Sequence, residues 1–196
     1  MTQFFGDFKE EQIDCEEYLA LGFSPGSMPL KHRWRNNGLS ADFMGDYLTT
    51  FFPSNSKDNK LNEIDKQIEI KGAVSYIANE LLENAMKFND EASNYPITIR
   101  LILHSDHIIF HLINSMPFQN VSKFQAYIRE LSSCSDPQDL YVKQLERNAQ
   151  EEDGMTSSLG LLTMINDYMA KLGWKIEIIE QEPKLVIVNT MVKISV

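Results

Sequence analysis

Alternating apolar residues in two places fix more about this chain than any other feature. Ile97, Ile99, Leu101 and Leu103 alternate with Thr98, Arg100 and His104, and after a Ser105-Asp106 turn a second run extends from His107 to Asn114. A period of two with a short polar turn predicts a hairpin with one face against a core. A second hairpin is predicted from Lys175 to Glu180 and from Leu185 to Ile194, turning about Glu182-Pro183. Between and before these runs the apolar period lengthens to that of a helix. Helices are predicted over about 72–89, 118–132, 138–151 and 158–172. Asp136-Pro137 suits the start of the third, because proline fits a first helical turn. Gly173 is the expected left-handed cap of the last. Hairpins mixed with helices, in place of one-helix crossovers, predict an α+β two-layer sandwich with a mostly antiparallel sheet.

The N-terminal third is less regular. Residues 8–21 are acidic with scattered apolar positions and read as an edge element plus loop, broken by Gly22, Pro25, Gly26 and Pro29. His32 to Asn37 reads as a strand, and Gly38-Leu39-Ser40 leads into a helix with Phe43, Met44, Tyr47, Leu48 and Phe51 at helical spacing, stopping at Pro53. Ser54 to Asn59 is polar linker. The expected organisation is an N-terminal extension over 1–60, packed on a core domain over 61–196. Ile64, Ile68 and Ile70 belong to a short strand or to the start of the following helix.

At 196 residues and 43% hydrophobic content, with 11 Phe and 9 Met, the chain can bury a core without staples. No apolar run approaches the ~18–20 residues of a membrane-spanning helix. The start, Met1 to Asp7, lacks the basic and apolar regions of a signal peptide, so a soluble, cytoplasmic protein is expected. Cys15 and Cys134 stand far apart with no His or Cys at metal-ligand spacing, which suggests neither a disulfide framework nor zinc. A net charge of −10 works against nucleic acid, because Lys31-His32-Arg33-Trp34-Arg35 is the only basic cluster that stands out.

The helix over 72–89 carries the chemistry. At 100° per residue, Glu80, Asn84 and Lys87 fall within roughly 60° of one another, while Ala78, Leu81, Leu82 and Ala85 point to the opposite side. A carboxylate, an amide and an ammonium at that spacing suit a hard cation, a phosphate or a polar ring edge. The same spacing also describes a solvated helix face with an i,i+3 pair worth about 0.2–0.5 kcal/mol. Spacing leaves both readings open.

The run Glu80-Leu81-Leu82-x-Asn84-Ala85-x-Lys87-Phe88 resembles the N-box of the histidine-kinase-like ATPase superfamily, which includes sensor kinases, anti-sigma factor kinases, gyrase and Hsp90. The resemblance covers about 64–194. It implies that Asn84 ligates Mg²⁺, that Lys87 approaches phosphate and that Glu80 handles the proton of an attacking group. It also implies that 61–196 is a degenerate ATPase domain with a lid-like insertion at 115–157. Residues 1–60, through Arg33-Trp34-Arg35-Asn36-Asn37-Gly38-Leu39-Ser40, resemble a cyanobacterial family of small single-domain regulators of this type.

Two glycine-rich motifs of the superfamily are altered. Where an adenine-reading Asp followed by glycines is expected, the chain reads Asn114-Ser115-Met116-Pro117-Phe118, which removes positive-φ freedom and fills space beside a base. Before the last helix it reads Gly154-Met155-Thr156-Ser157-Ser158-Leu159-Gly160-Leu161, where Gly160 keeps its expected place. A helix N-terminus after Ser157-Ser158 suits an anion. The alternative is that Ser157 or Ser158 caps the helix and Gly160 packs on a strand. These losses argue against turnover, since the γ-phosphate must be held in line with its nucleophile.

The resembled regulators include flavin-binding, light-responsive members, which implies FMN or FAD in the former ATP cleft. An apolar pocket lined by Met116 and Phe118, with polar groups from Glu80, Asn84, Lys87 and Asn114, would suit an isoalloxazine. Trp34, flanked by Arg33 and Arg35, is the tryptophan expected to stack on it in preference to Trp174, although core packing is the commoner fate of either. His104, His107 and His111 read as surface or turn residues, and no cysteine sits where a flavin adduct would form. The leading expectation is a non-catalytic, light- or redox-responsive switch for a protein partner of the partner-switching type. The alternatives are an ATP/Mg²⁺-dependent serine kinase of the anti-sigma type, with Glu80 as base, Asn84 on the metal and Lys87 at phosphate, and a ligand-free interaction module. Homodimerisation is left open.

Overall fold

The computed structural model describes residues 1–10, 17–24, 30–51, 60–134, 136–150, 159–180 and 182–196, without the side chains of 30–36, 60–63 and 147–150. Six strands form one sheet in the order β1-β5-β6-β4-β3-β2, with every neighbouring pair antiparallel. The two hairpins read from the alternation are β3 (Ile97–Leu103) with β4 (His107–Met116), and β5 (Lys171–Ile179) with β6 (Leu185–Ser195). They join through β4 and β6, where Phe110 lies opposite Val192 and Met116 opposite Val186. The edge strands are β1 (Thr2–Gly6), on β5, and β2 (Glu17–Phe23), on β3.

Alternation places Ile99, Leu101, Phe110, Leu112, Val188, Val192, Trp174 and Ile176 on one face, in a common core with helix residues. Helix α1 (Leu30–Thr49) contributes Ala41, Met44 and Leu48, and α2 (Lys60–Phe88) contributes Val74, Ile77, Ala78, Leu81, Leu82 and Ala85. The helices α3 (Val121–Ser133), α4 (Pro137–Gln150) and α5 (Leu159–Tyr168) add Ile128, Leu140 and Leu162. The fold is thus the α+β two-layer sandwich that the alternation predicted, with helices over one face of an antiparallel sheet. Each large side chain buried there contributes about 1.5–3 kcal/mol of transfer free energy. No helix among the described residues is long and apolar enough to cross a membrane.

The opposite face is covered in part by the chain leaving β1. Phe8 packs on Ile102, Ile109 and Met191 and meets the His111 ring edge-on at 5.8 Å. Beyond it Glu10 pairs with Lys175 at 2.7 Å. The crossing needs glycine at two points. Gly6 turns at φ 60°, and a Cβ on Gly173 would overlap the Phe8 backbone passing above it.

Four local expectations are corrected. His32 to Asn37 is part of α1 and not a strand, because Asn37, Ala41, Met44 and Leu48 form one continuous buried stripe at helical spacing. The last helix ends at Tyr168, four residues before the expected 172. Met169 takes the left-handed conformation at φ 49°, the Ala170 N–H donates to the Met164 carbonyl at 3.0 Å, and Gly173 serves close packing inside β5. His111 is 6% exposed under Phe8, so it is a buried sheet residue and not a surface one. Ser115 and Met116, at the start of the expected lid, belong to β4.

Candidate functional site

Helix α2 places Glu80, Asn84 and Lys87 beside its buried stripe, and all three are partly buried. Burial, and then the neighbouring Glu83 carboxylate, raise the proton affinity of Glu80 above the ordinary carboxylate range. Burial lowers the pKa of Lys87, while Glu83 acts in the opposite direction. Glu83 itself accepts a hydrogen bond from the Asn79 amide at 2.9 Å.

Gly160, in the first turn of α5, sits directly against Glu80. A Cβ at that position would overlap the Glu80 carboxylate, so the carboxylate as placed lies in space that glycine leaves open. Further along the same contact, the rings of Tyr76 and Tyr168 stack with centroids 5.4 Å apart. The Tyr76 hydroxyl has its pKa raised chiefly by burial, with a hydrogen bond from Thr163 acting against the shift and the charges of Glu80 and Asp167 adding to it. Residues of α2 and α5 some eighty or more positions apart in sequence therefore meet along one helix–helix contact. Tyr76, Thr163 and Tyr168 were not legible as site residues, because an aromatic at helical spacing reads as core.

Asn114 and Met116 lie at the end of β4 and face the core, 5% and 6% exposed. The Asn114 amide donates to the Ser115 carbonyl at 2.7 Å. Thr190 shares this core-facing register on β6, opposite Leu112 and diagonal to Asn114, and is buried among Val188 and Val192. Its signal in the sequence was a hydroxyl at a position where the alternation of β6 calls for an aliphatic side chain. Asn89, just past α2, accepts hydrogen bonds from both the N–H and the hydroxyl of Ser115, at 3.2 and 2.9 Å. This ties the end of α2 to the end of β4.

Phe118 is 49% exposed and lies under the Lys184 ammonium, 4.7 Å from its ring centroid. It lines an open groove of about 700 Å³ with Lys87, Asn89, Asp90, Pro117 and Lys184. Met116 and Phe118 thus occupy different environments, one in the core and one at the rim of this groove. Trp174 is 1% exposed and belongs to the core. Ser157, Ser158 and the Trp34 side chain lie outside the described residues.

The structure therefore brings Glu80 together with Gly160 and Lys87 together with Phe118, and sets Asn114 and Met116 at the sheet end between helices and strands. Asn84 offers a hard amide oxygen of the kind Mg²⁺ accepts alongside waters and phosphate oxygens. Among the described residues no group of three or more His, Cys, Asp or Glu is arranged to hold a metal by itself. Compared with protein-family models and with curated proteins, the chain matches none.

Proposed function

We propose that this chain is a signalling regulator that binds a nucleotide along the polar face of α2, and that the nucleotide is ATP with Mg²⁺ serving a serine kinase of the anti-sigma type. The observation that carries this reading is the contact of Gly160 with the Glu80 carboxylate. It joins the two motifs that a nucleotide would have to bridge. A partly buried carboxylate with raised proton affinity is a better proton acceptor than a solvated one, as a general base requires. Asn84 would take the metal, Lys87 the phosphates, and the Asn114 carboxamide oxygen an exocyclic amine of the base. The acceptor would be a serine hydroxyl on a small protein partner, and the damaged glycine motifs imply slow turnover.

A flavin nucleotide in the same place, acting as a light- or redox-responsive switch, is the second reading. The absence of glycine in Met116-Pro117-Phe118 favours it, because larger side chains reshape the base end of the cleft. The separation of Met116 from Phe118 weakens it, since no apolar plate joins the two.

Calorimetry and an absorption spectrum decide between them. The kinase reading expects Mg²⁺-dependent ATP binding that Asn84→Ala weakens at least about tenfold, and a colourless protein. Yellow protein absorbing near 450 nm supports the flavin. Absence of ATP binding at millimolar concentration in a colourless protein refutes both.

A further inference from the structure

Helix α5 does more than border the polar face of α2, because its first turn rests on Glu80, the proposed proton acceptor. Gly160 occupies the space directly over one oxygen of Glu80. Eight residues on, Tyr168 stacks on Tyr76, one helical turn before Glu80 on α2, with ring centroids 5.4 Å apart. These contacts lie along one seam between α2 and α5. The seam is polar at its Glu80 end and aromatic at its Tyr168 end. Leu161, Leu162 and Met164 hold the rest of α5 in the core, and Met169, 85% exposed with a left-handed backbone, ends the helix beyond the stack.

We propose that α5 is a latch, with Gly160 seated on Glu80 in the resting state, the Tyr76–Tyr168 stack holding it there, and access of a phosphate-bearing ligand to Glu80 requiring that seat to open. The inference rests on the reading of the polar face of α2 as the ligand site. A ligand shifts such an equilibrium only by binding the open form better. Binding energy spent on opening is then lost from affinity, so loosening the seam should tighten the ligand.

Hydrogen exchange on the full chain without ligand tests the latch. Tyr168→Ala removes the stack. It is expected to raise amide exchange over 159–168 about tenfold, the scale of a lost aromatic pair, with 97–103 and 107–116 unchanged. If α5 exchange in Tyr168→Ala stays within twofold of wild type, or if all strands rise together with it, the latch is overturned. Failure of wild type to bind Mg²⁺-ATP would refute the ligand reading, and it is read separately from the ligand-free exchange pattern.

Discussion

Removing the Asn89 side chain should cost more stability than its place just outside a helix suggests. Strand β3 begins at Ile97 and its pairing with β4 begins at Thr98 opposite Ile113, so Ser115 lies beyond the reach of that ladder. The Asn89 carboxamide oxygen fills the gap, accepting from the Ser115 N–H at 3.2 Å and from its hydroxyl at 2.9 Å. Ser115 is fully buried and Asn89 is 6% exposed. Asn89→Ala leaves a buried backbone donor and a buried hydroxyl without their acceptor, each worth about 1–3 kcal/mol. The hydroxyl can rotate toward another acceptor, so the expected loss is about 2–4 kcal/mol. With a urea slope of about 2 kcal/mol/M, the unfolding midpoint falls by about 1–2 M. Ser115→Ala removes one donor and leaves the other paired, so it should cost about 1 kcal/mol. The double variant should cost less than the sum of the singles by about 1 kcal/mol, because both changes delete the same bond. An Asn89→Ala midpoint within about 0.3 M of wild type would refute the reasoning.

Glu80→Gln should stabilise the protein at pH 7.5. Burial raises the folded-state pKa of Glu80, so its protonated form is favoured by folding; that contribution is complete below the unfolded value of about 4.3 and is lost as pH rises through the folded value. The gap between variant and wild type should therefore close as pH falls to about 4, and a variant less stable than wild type at pH 7.5 contradicts this. Phe110→Ala, at a fully buried site, should cost about 3–5 kcal/mol in urea unfolding, whereas Phe43→Ala, half exposed on α1, should stay within about 0.5 kcal/mol. Comparable losses at the two positions would place the core incorrectly.

The sheet was legible because apolar residues recur at every second position on the face that meets the helices, as at Ile97, Ile99, Leu101 and Leu103 and at Val186, Val188, Val192 and Ile194, with Thr190 the exception. Helix α2 was legible over its C-terminal part because its apolar residues recur at helical spacing, although its start at Lys60 was not. The error over His32 to Asn37 arose where an aromatic and two arginines mimic a strand while the buried stripe of α1 shows only over several turns. Gly173 misled because glycine marks both a helix cap and a close backbone approach, and only the path of Phe8 over β5 tells them apart. Within the candidate site, the convergence of Glu80, Asn84 and Lys87 on one side of α2 follows from spacing alone. The meeting of Gly160 with Glu80 follows from the packing of α5 on α2, which no local pattern encodes. Met116 was expected beside Phe118 in one pocket; strand alternation sends it into the core, while the proline between them ends β4 and leaves Phe118 on a turn at the surface.

The most direct test of the proposed ligand site is a titration of the isotope-labelled full chain with Mg²⁺-ATP, followed by amide NMR. The account predicts saturable shifts at Glu80, Asn84, Lys87, Gly160 and Leu161, with Thr190 included if the base reaches the sheet. Shifts confined to the open groove at Phe118, Gln119 and Lys184, or none at millimolar nucleotide, would contradict it.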